Sequence, residues 1–393
     1  MARFLFVVPP LHGHVNPTMA VGAALAHRGH DVAWCGAPTF LEGVLPAGAE
    51  VVASGEDVPA EAIAEVEARS HGLKGAPALK FFWEEFLVPL AHAMIPGVEA
   101  AITSWRPDVV VADQQTVAGA LVARRHGVPW ATSATTSAEL VDPFAGFPKL
   151  QAWSDGCLVQ VQLDHGVPAA EASAANLRFS DDLVLAFTTV ELAGRRPYPS
   201  HWRFVGPAFG DRPPHDADFP WDHVDGDDPV VLVSLGTVNA AAGERFYRVV
   251  AEVAGGRPER FVLAAPPEVA GPMPANVVVR PRVPQLELIE RAGAVVCHAG
   301  HNTVCEALAS GVPLVVAPIR DDQPVVAAQV VEAGAGIRVR YVRVRPDELS
   351  GALDAVLTDP AYREAATAVG ASFIAAGGAA AAAVHLEDLA GRR

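Results

Sequence analysis

The chain has 393 residues, 51% of them hydrophobic, with 29 Lys and Arg against 45 Asp and Glu for a formal charge of −16. That length exceeds one ordinary core and implies two domains, while the apolar content excludes disorder. An acidic chain with no Lys/Arg run lacks the footprint for nucleic acid or anionic lipid. No uninterrupted apolar run reaches the roughly 20 residues that cross a bilayer, so small molecules are the expected partners, with no nucleic acid and no stable membrane insertion.

Arg3 to Val8 is a nearly continuous apolar run, the pattern of a parallel strand covered on both faces. Pro9 to Pro17 reads as a loop, with Asn16 as helix cap, Pro17 as first helical residue and Gly29 as stop. A dinucleotide fold would want G-x-G-x-x-G here; Gly13 stands alone, which argues against a nicotinamide dehydrogenase. Val32 to Cys35 makes a second strand and Glu61 to Arg69 a short acidic helix. Lys80 to Ser104 reads as helix broken near Pro89 and Pro96, carrying Phe81, Phe82, Trp83 and Phe86, more aromatics than one face buries against a sheet. They read as core or as the lining of an acceptor pocket. Val109 to Ala112 is a strand ending at Asp113, followed by a helix to His126 and a strand from Val128. From Thr132 to Ser180 the periodicity weakens, and a loop-rich insertion of this length, with Thr135, Thr136, Phe144, Phe147 and Trp153, points to function.

Leu183 to Phe187 and Arg203 to Val205 close the first half, and the Pro, Asp and Gly-rich stretch from Gly206 to Asp228 reads as a linker. The expected division is 1–207, a linker at 208–228, a second domain at 229–376 and a terminal helix at 377–393. The second half restarts at Val230 to Val233 and alternates strand and helix, with a helix from Asp347 to Leu357 and an alanine-rich helical tail from Tyr362.

Ala294 to Cys297 reads as a strand, His298 to Asn302 as a tight turn, Thr303 to Ser310 as a helix stopped by Gly311, and Leu314 to Ala317 as the next strand. A turn with small residues at a helix amino end suits a phosphate, because unpaired N–H groups and the helix dipole favour an anion. Glu306, one turn deeper on the same face, suits a ribose diol. Asp322 and Gln323 follow the next strand at the carboxyl edge, where ligands of open α/β sheets sit. Cys35, Cys157, Cys297 and Cys305 show neither a C-x-x-C pair nor metal spacing, and Cys297 and Cys305 read as packing residues. With no signal-peptide layout before the strand at Arg3, a reducing cytoplasm is the expected compartment.

The spacing His298-x-Gly300-x-Asn302-Thr303-x-x-Glu306, then Gly311-Val312-Pro313, Pro318 and Asp322-Gln323, resembles the nucleotide-sugar signature of the UDP-glycosyltransferase family. The resemblance implies an α/β chain of two Rossmann-like domains, each a mostly parallel sheet covered by helices, facing across a cleft in the GT-B arrangement. By it, His298, Asn302 and Thr303 hold the diphosphate, Glu306 the ribose, and Asp322 and Gln323 the sugar hydroxyls. Ser234-Leu235-Gly236-Thr237 resembles a second diphosphate loop, and the terminal helix is expected to pack back on the amino domain. Gly13-His14-Val15-Asn16-Pro17 matches the family's catalytic-histidine loop and Asp113 the aspartate paired with it. His14 would take the acceptor hydroxyl's proton as it attacks the sugar from the face opposite the diphosphate, with Asp113 fixing the ring. His12 is the competing base and otherwise an acceptor contact, with Phe81, Phe82, Phe86, Thr135, Phe144 and Phe147.

No cofactor is expected, the nucleotide sugar being a co-substrate, and no metal: the helix end and side chains stand in for one, and Asp216-x-Asp218 and the Asp225 to Asp228 run read as solvated loop charges. Two positions depart from plant members. Arg282-Val283-Pro284-Gln285 puts an arginine where they stack a tryptophan on the base, and His301 also replaces a tryptophan. The departures point to a bacterial natural-product or macrolide-type enzyme and leave UDP and dTDP donors both open. The sequence thus predicts an inverting transferase of a hexose or deoxyhexose to a small, apolar acceptor, acting as monomer or homodimer. A non-catalytic nucleotide-sugar-binding auxiliary and a sugar-nucleotide epimerase are the alternatives.

Overall fold

Continuous apolar runs form central strands because both of their faces are buried. In the computed structural model, all of 1–393 is described except 56–68, 70–72, 74, 142, 143, 145, 211–218, 227, 237–242 and 393. The expected Glu61 to Arg69 helix, Arg69 apart, therefore lies outside the described residues, as do Thr237, Asp216 and Asp218. The chain forms two units: Met1–Thr188 with Pro197–Gly210 and Ala376–Arg393, and Thr189–Arg196 with Asp211–Ala375.

In the first unit, β1 (Arg3–Val7), β2 (Asp31–Gly36), β3 (Glu50–Ala53), β4 (Val109–Asp113), β5 (Trp130–Ala134), β6 (Leu183–Ala186) and β7 (Trp202–Phe204) form one sheet. Its order is β3-β2-β1-β4-β5-β6-β7, with every neighbouring pair parallel. Phe4 and Phe6 point into the layer under the helices His12–His27 and Gly378–Ala390, whereas Leu5 and Val7 point into the layer under Val88–Trp105 and Val117–His126. Alternate side chains feeding two cores explain the unbroken apolar run. Truncating Phe6, 1% exposed, to alanine would cost about 3–5 kcal/mol.

The second unit repeats the plan with β8 (Val230–Ser234), β9 (Arg260–Ala264), β10 (Val277–Arg280), β11 (Ala292–Cys297), β12 (Leu314–Val316) and β13 (Gly336–Arg338). The order is β10-β9-β8-β11-β12-β13, again parallel throughout. Leu232 and Val295 enter one layer, Val233 and Val296 the other. In each sheet the winding reverses, between β1 and β4 and between β8 and β11. The connections that leave the carboxyl ends of the strands at such a reversal go to opposite faces of the sheet and leave a crevice for ligands.

Several local expectations change. The first helix begins at His12, capped by extended Leu11, so Asn16 and Pro17 lie inside it and His14 sits in its first turn. Pro9-Pro10 directs the chain out of the strand, and the helix turns at once. The helical stretch over 76–105 is not broken at its prolines: a π-helical turn at Phe82–Leu87 changes the hydrogen-bond register just before Pro89, which has no N–H to offer. Within the expected loop-rich insertion runs a 17-residue helix, Pro148–Asp164, whose buried Ser154, Leu158, Val161 and Gln162 recur at helical spacing. Phe219 and Val224, inside the expected linker, are buried in the core of the second unit, as is Leu192, upstream of the expected boundary.

The last helix belongs to the first unit. Gly377 and Gly378, at φ 87° and 56°, end the helix Pro360–Ala376 and start Gly378–Ala390. Ala382, Ala383, Leu386 and Leu389 then pack with Phe4 and Phe6. Glu387 accepts from the Arg28 guanidinium at 2.7 and 2.6 Å and lies 2.7 Å from His30. The hydrogen bonds from Arg28 and His30 hold its carboxyl at about 2.

Among the described residues, two helical stretches, Ala76–Trp105 and Pro360–Ala390, are long and apolar enough by composition to cross a membrane, with 18-residue windows of mean hydropathy 1.4 and 1.6 respectively. The sequence expectation, looking for uninterrupted runs, passed over them. Both pack apolar side chains into the cores, Met94 and Val98 from the first, Phe373 and Leu386 from the second. All four cysteines are free thiols, Cys297 and Cys305 being buried.

Candidate active site

At the first reversal, three strand ends converge. The helix begun at His12 presents the His14 ring, β4 ends in Asp113, and β5 is followed by Thr135. His14 Nδ1 lies 3.0 Å from both Asp113 carboxylate oxygens. Asp113 has a fully buried side chain, whereas that of His14 is 15% exposed. The Gln115 N–H donates to Asp113 Oδ1 at 2.8 Å and the Thr135 hydroxyl to Oδ2 at 3.0 Å. A carboxylate that accepts from three donors fixes the Nδ1–H tautomer and leaves the lone pair of the neutral ring on Nε2.

His12 is exposed, its ring edge-on to Phe40 at 5.0 Å. Thr135, expected as an acceptor contact, is 3% exposed, and its hydroxyl is engaged by the histidine and aspartate pair. The Gln115 amide escaped the sequence reading, because a backbone donor leaves no compositional trace. Phe82 and Phe86 pack on each other at 5.7 Å, Phe81 lies under the Arg69 guanidinium, and Trp83 is core. Phe144 is half-buried, and Phe147, 60% exposed, caps the helix Pro148–Asp164.

The second reversal is built from backbone and glycine. β8 leads into Gly236 at φ 74°, and β11 into His298, Ala299 and Gly300 before the helix His301–Ala309. The His298 ring lies between the two glycines: a Cβ at Gly236 would stand 2.7 Å from its Cε1, and one at Gly300 2.5 Å from its Nε2. Ala299, buried, adopts φ 67°, a left-handed conformation that costs an L-residue about 1–2 kcal/mol. Strain of this kind persists where the surroundings demand a particular backbone.

The His298 Nδ1 is buried beside the Ser234 backbone without a well-formed hydrogen bond. Burial pushes the imidazole pKa down, against the charge of Asp322, so the ring is neutral at neutral pH. That influence places Asp322, after β12, in the electrostatic field of the turn. The helix opens with Asn302 and Thr303 in its first turn, and Thr303 and Glu306 are buried. Gln285 donates to Glu306 at 2.5 Å and to Thr303 Oγ1 at 3.4 Å, tying three expected donor residues together.

Asp322 stands at the cap position of the helix Gln323–Glu332 but makes no side-chain cap bond. Gln323 Oε1 accepts from the N–H groups of Ile319 and Arg320. Arg282 is exposed, but the Val283 side chain is 7% exposed and packs in the core, so that side chain is not free for a donor. Buried His301 has its Nε2 3.5 Å from Cys305 Sγ.

A family model described as UDP-glucoronosyl and UDP-glucosyl transferase matches residues 196–372. Another, described as erythromycin biosynthesis protein CIII-like, N-terminal domain, matches residues 23–146. The 4'-demethylrebeccamycin synthase of Lentzea aerocolonigenes is 28% identical, with 92% of this chain and 93% of that protein covered. The elloramycin glycosyltransferase of Streptomyces olivaceus is 30% identical, with 93% and 92% covered. A solved structure of the glycosyltransferase of kitacinnamycin matches with a TM-score of 0.78 at 27% identity, covering 99% of both chains. Two parallel-sheet α/β units, a signature at the second reversal and relatives along nearly the whole chain place this protein in the UDP-glycosyltransferase family, among the bacterial natural-product glycosyltransferases.

Proposed function

We propose that the protein transfers a hexose or deoxyhexose from a UDP- or dTDP-sugar to a hydroxyl of a small, apolar natural-product acceptor with inversion at C1. The observation that carries this reading is His14, its Nδ1 held 3.0 Å from both oxygens of a buried aspartate. The acceptor oxygen attacks C1, its proton passes to His14 Nε2, and the C1–O bond breaks with its electron pair leaving on the diphosphate. Asp113 stabilises the imidazolium without taking its proton. A positioned base of this kind contributes roughly 10²–10⁴-fold.

The diphosphate is received at the amino end of the helix His301–Ala309, by Asn302 and Thr303 and by neutral His298 acting as a hydrogen-bond donor. Asp322 and the Gln323 amide nitrogen meet the sugar hydroxyls, Glu306 the ribose, and Arg282 stacks on the base. No divalent ion is needed, because the helix end and its side chains meet the developing charge.

The test is a panel of UDP-glucose, dTDP-glucose and dTDP-rhamnose against macrolide, aromatic polyketide and flavonoid aglycones, read by mass spectrometry and by the anomeric coupling of the product. We expect a glycoside of inverted configuration at a rate unchanged by EDTA. Retention of configuration would overturn the single-displacement reading. Loss of turnover in EDTA, restored by Mg²⁺, would overturn the metal-independent one.

A further inference from the structure

We propose that Thr135 is a positioning residue for the reaction, the third member of a hydrogen-bonded set that locks the base, and not a contact for the acceptor. The inference rests on the reading of His14 as the base. Thr135 follows β5, whose Ser133 is in register with Asp113 on the neighbouring β4. Its Oγ1 lies 2.8 Å from His14 Nδ1 and 3.0 Å from Asp113 Oδ2, closing a triangle of imidazole, carboxylate and hydroxyl.

The hydroxyl has one proton, and the chemistry of its neighbours decides where it points. With a bare Nδ1, a lone pair would face a carboxylate at 3.0 Å, which is repulsive, so Nδ1 carries a proton directed at Asp113. The Thr135 proton then goes to Oδ2, and its own lone pairs meet the Nδ1–H. Asp113 is thereby gripped on both oxygens, by the Gln115 N–H on Oδ1 and by Thr135 on Oδ2. Without the hydroxyl one oxygen would keep only the imidazole, and the carboxylate could rotate and carry the ring away from its reacting angle. An error of that size costs catalysis without costing binding. Thr135 is also too deeply buried, at 3% exposed, to present a surface to an acceptor.

Steady-state kinetics of Thr135→Val, Thr135→Ala, Thr135→Ser and His14→Ala would be measured with the fastest donor and acceptor pair from the panel above. We expect valine and alanine to lower kcat roughly 10–100-fold with both KM values within about twofold, since an interaction realised in the transition state is lost. Serine, which keeps the hydroxyl, should stay within about threefold of the parent, a rescue that a packing role would not show. Undiminished kcat in a folded alanine variant, or serine as poor as alanine, overturns the proposal. A raised acceptor KM at unchanged kcat overturns it in favour of acceptor contact. Should valine fail to fold, alanine and serine decide alone. Near-parental turnover in His14→Ala would sink the base reading itself, a failure distinct from any Thr135 result.

Discussion

The two reversal points have the same topology and are equipped in opposite ways. Between β1 and β4 the crevice is furnished with side chains: a histidine, a buried aspartate and a threonine in mutual hydrogen-bond contact. Between β8 and β11 it is furnished with backbone: two glycines around a histidine whose Nδ1 lacks a well-formed hydrogen bond, a strained alanine and the start of a helix. Moving a proton needs a group whose basicity is set by close partners. Holding a diphosphate needs many donors with no bulk in the way. One strand order thus suits the two chemistries proposed for it, and what differs is whether the residues after the strands bring functional groups or leave room.

The largest expected effect removes the functional group at the first point. His14→Ala should lower turnover by roughly 10³-fold or more, in the upper range for a lost base, while UDP or dTDP binds as before by calorimetry. Asp113→Asn should be slow as well, because an amide cannot hold the same tautomer. Equal losses of turnover and of nucleotide affinity in His14→Ala would erase the distinction between the two points.

Gly300→Ala makes the converse test. Its φ of −62° suits any L-residue, so the change adds bulk without backbone strain. The new Cβ would stand 2.5 Å from His298 Nε2 and force the ring aside. Nucleotide affinity should fall roughly tenfold, about 1.4 kcal/mol, with the melting temperature little changed. Unaltered affinity would mean that the space beside His298 does not matter to the donor.

This contrast also decides what could be read in advance. Strands buried on two faces announce themselves as apolar runs, and the turn from His298 to Glu306 carries so many polar positions at fixed offsets that its resemblance stands out. What stayed illegible depends on tertiary contact. Nothing near Thr135 shows that its hydroxyl meets Asp113, and nothing near Gln285 shows that it meets Glu306. The helix Pro148–Asp164 hid because its buried face includes Ser154 and Gln162, polar residues that satisfy themselves on Gln151, Leu158 and Ser173 carbonyls. The start at His12 hid because Asn16-Pro17 is a stronger local signal than Leu11, and tertiary placement overrode it.

The smallest expected effect concerns support from outside the sheet, which the first point has in the carboxyl-terminal helix. Glu387 on that helix grips Arg28 and His30, just past the end of the helix that carries His14. Its carboxyl is depressed from 4.5 to about 2, first by the hydrogen bond from Arg28. A depressed carboxylate stabilises the fold fully above its unfolded value, and the contribution is lost as pH falls toward the folded one. Glu387→Gln should therefore lower the melting temperature at pH 7 by a constant amount down to about pH 5, and the gap to the parent should narrow as pH drops below about 4.5. Arg28 is 46% exposed at the side chain, so solvent screening keeps the loss small. Turnover at pH 7 should stay within about twofold, because Asp113 and Thr135 orient His14 without help from this contact. A gap that widens on acidification would reverse the assigned sign, and a large loss of turnover in a folded variant would show that the terminal helix reaches the base after all.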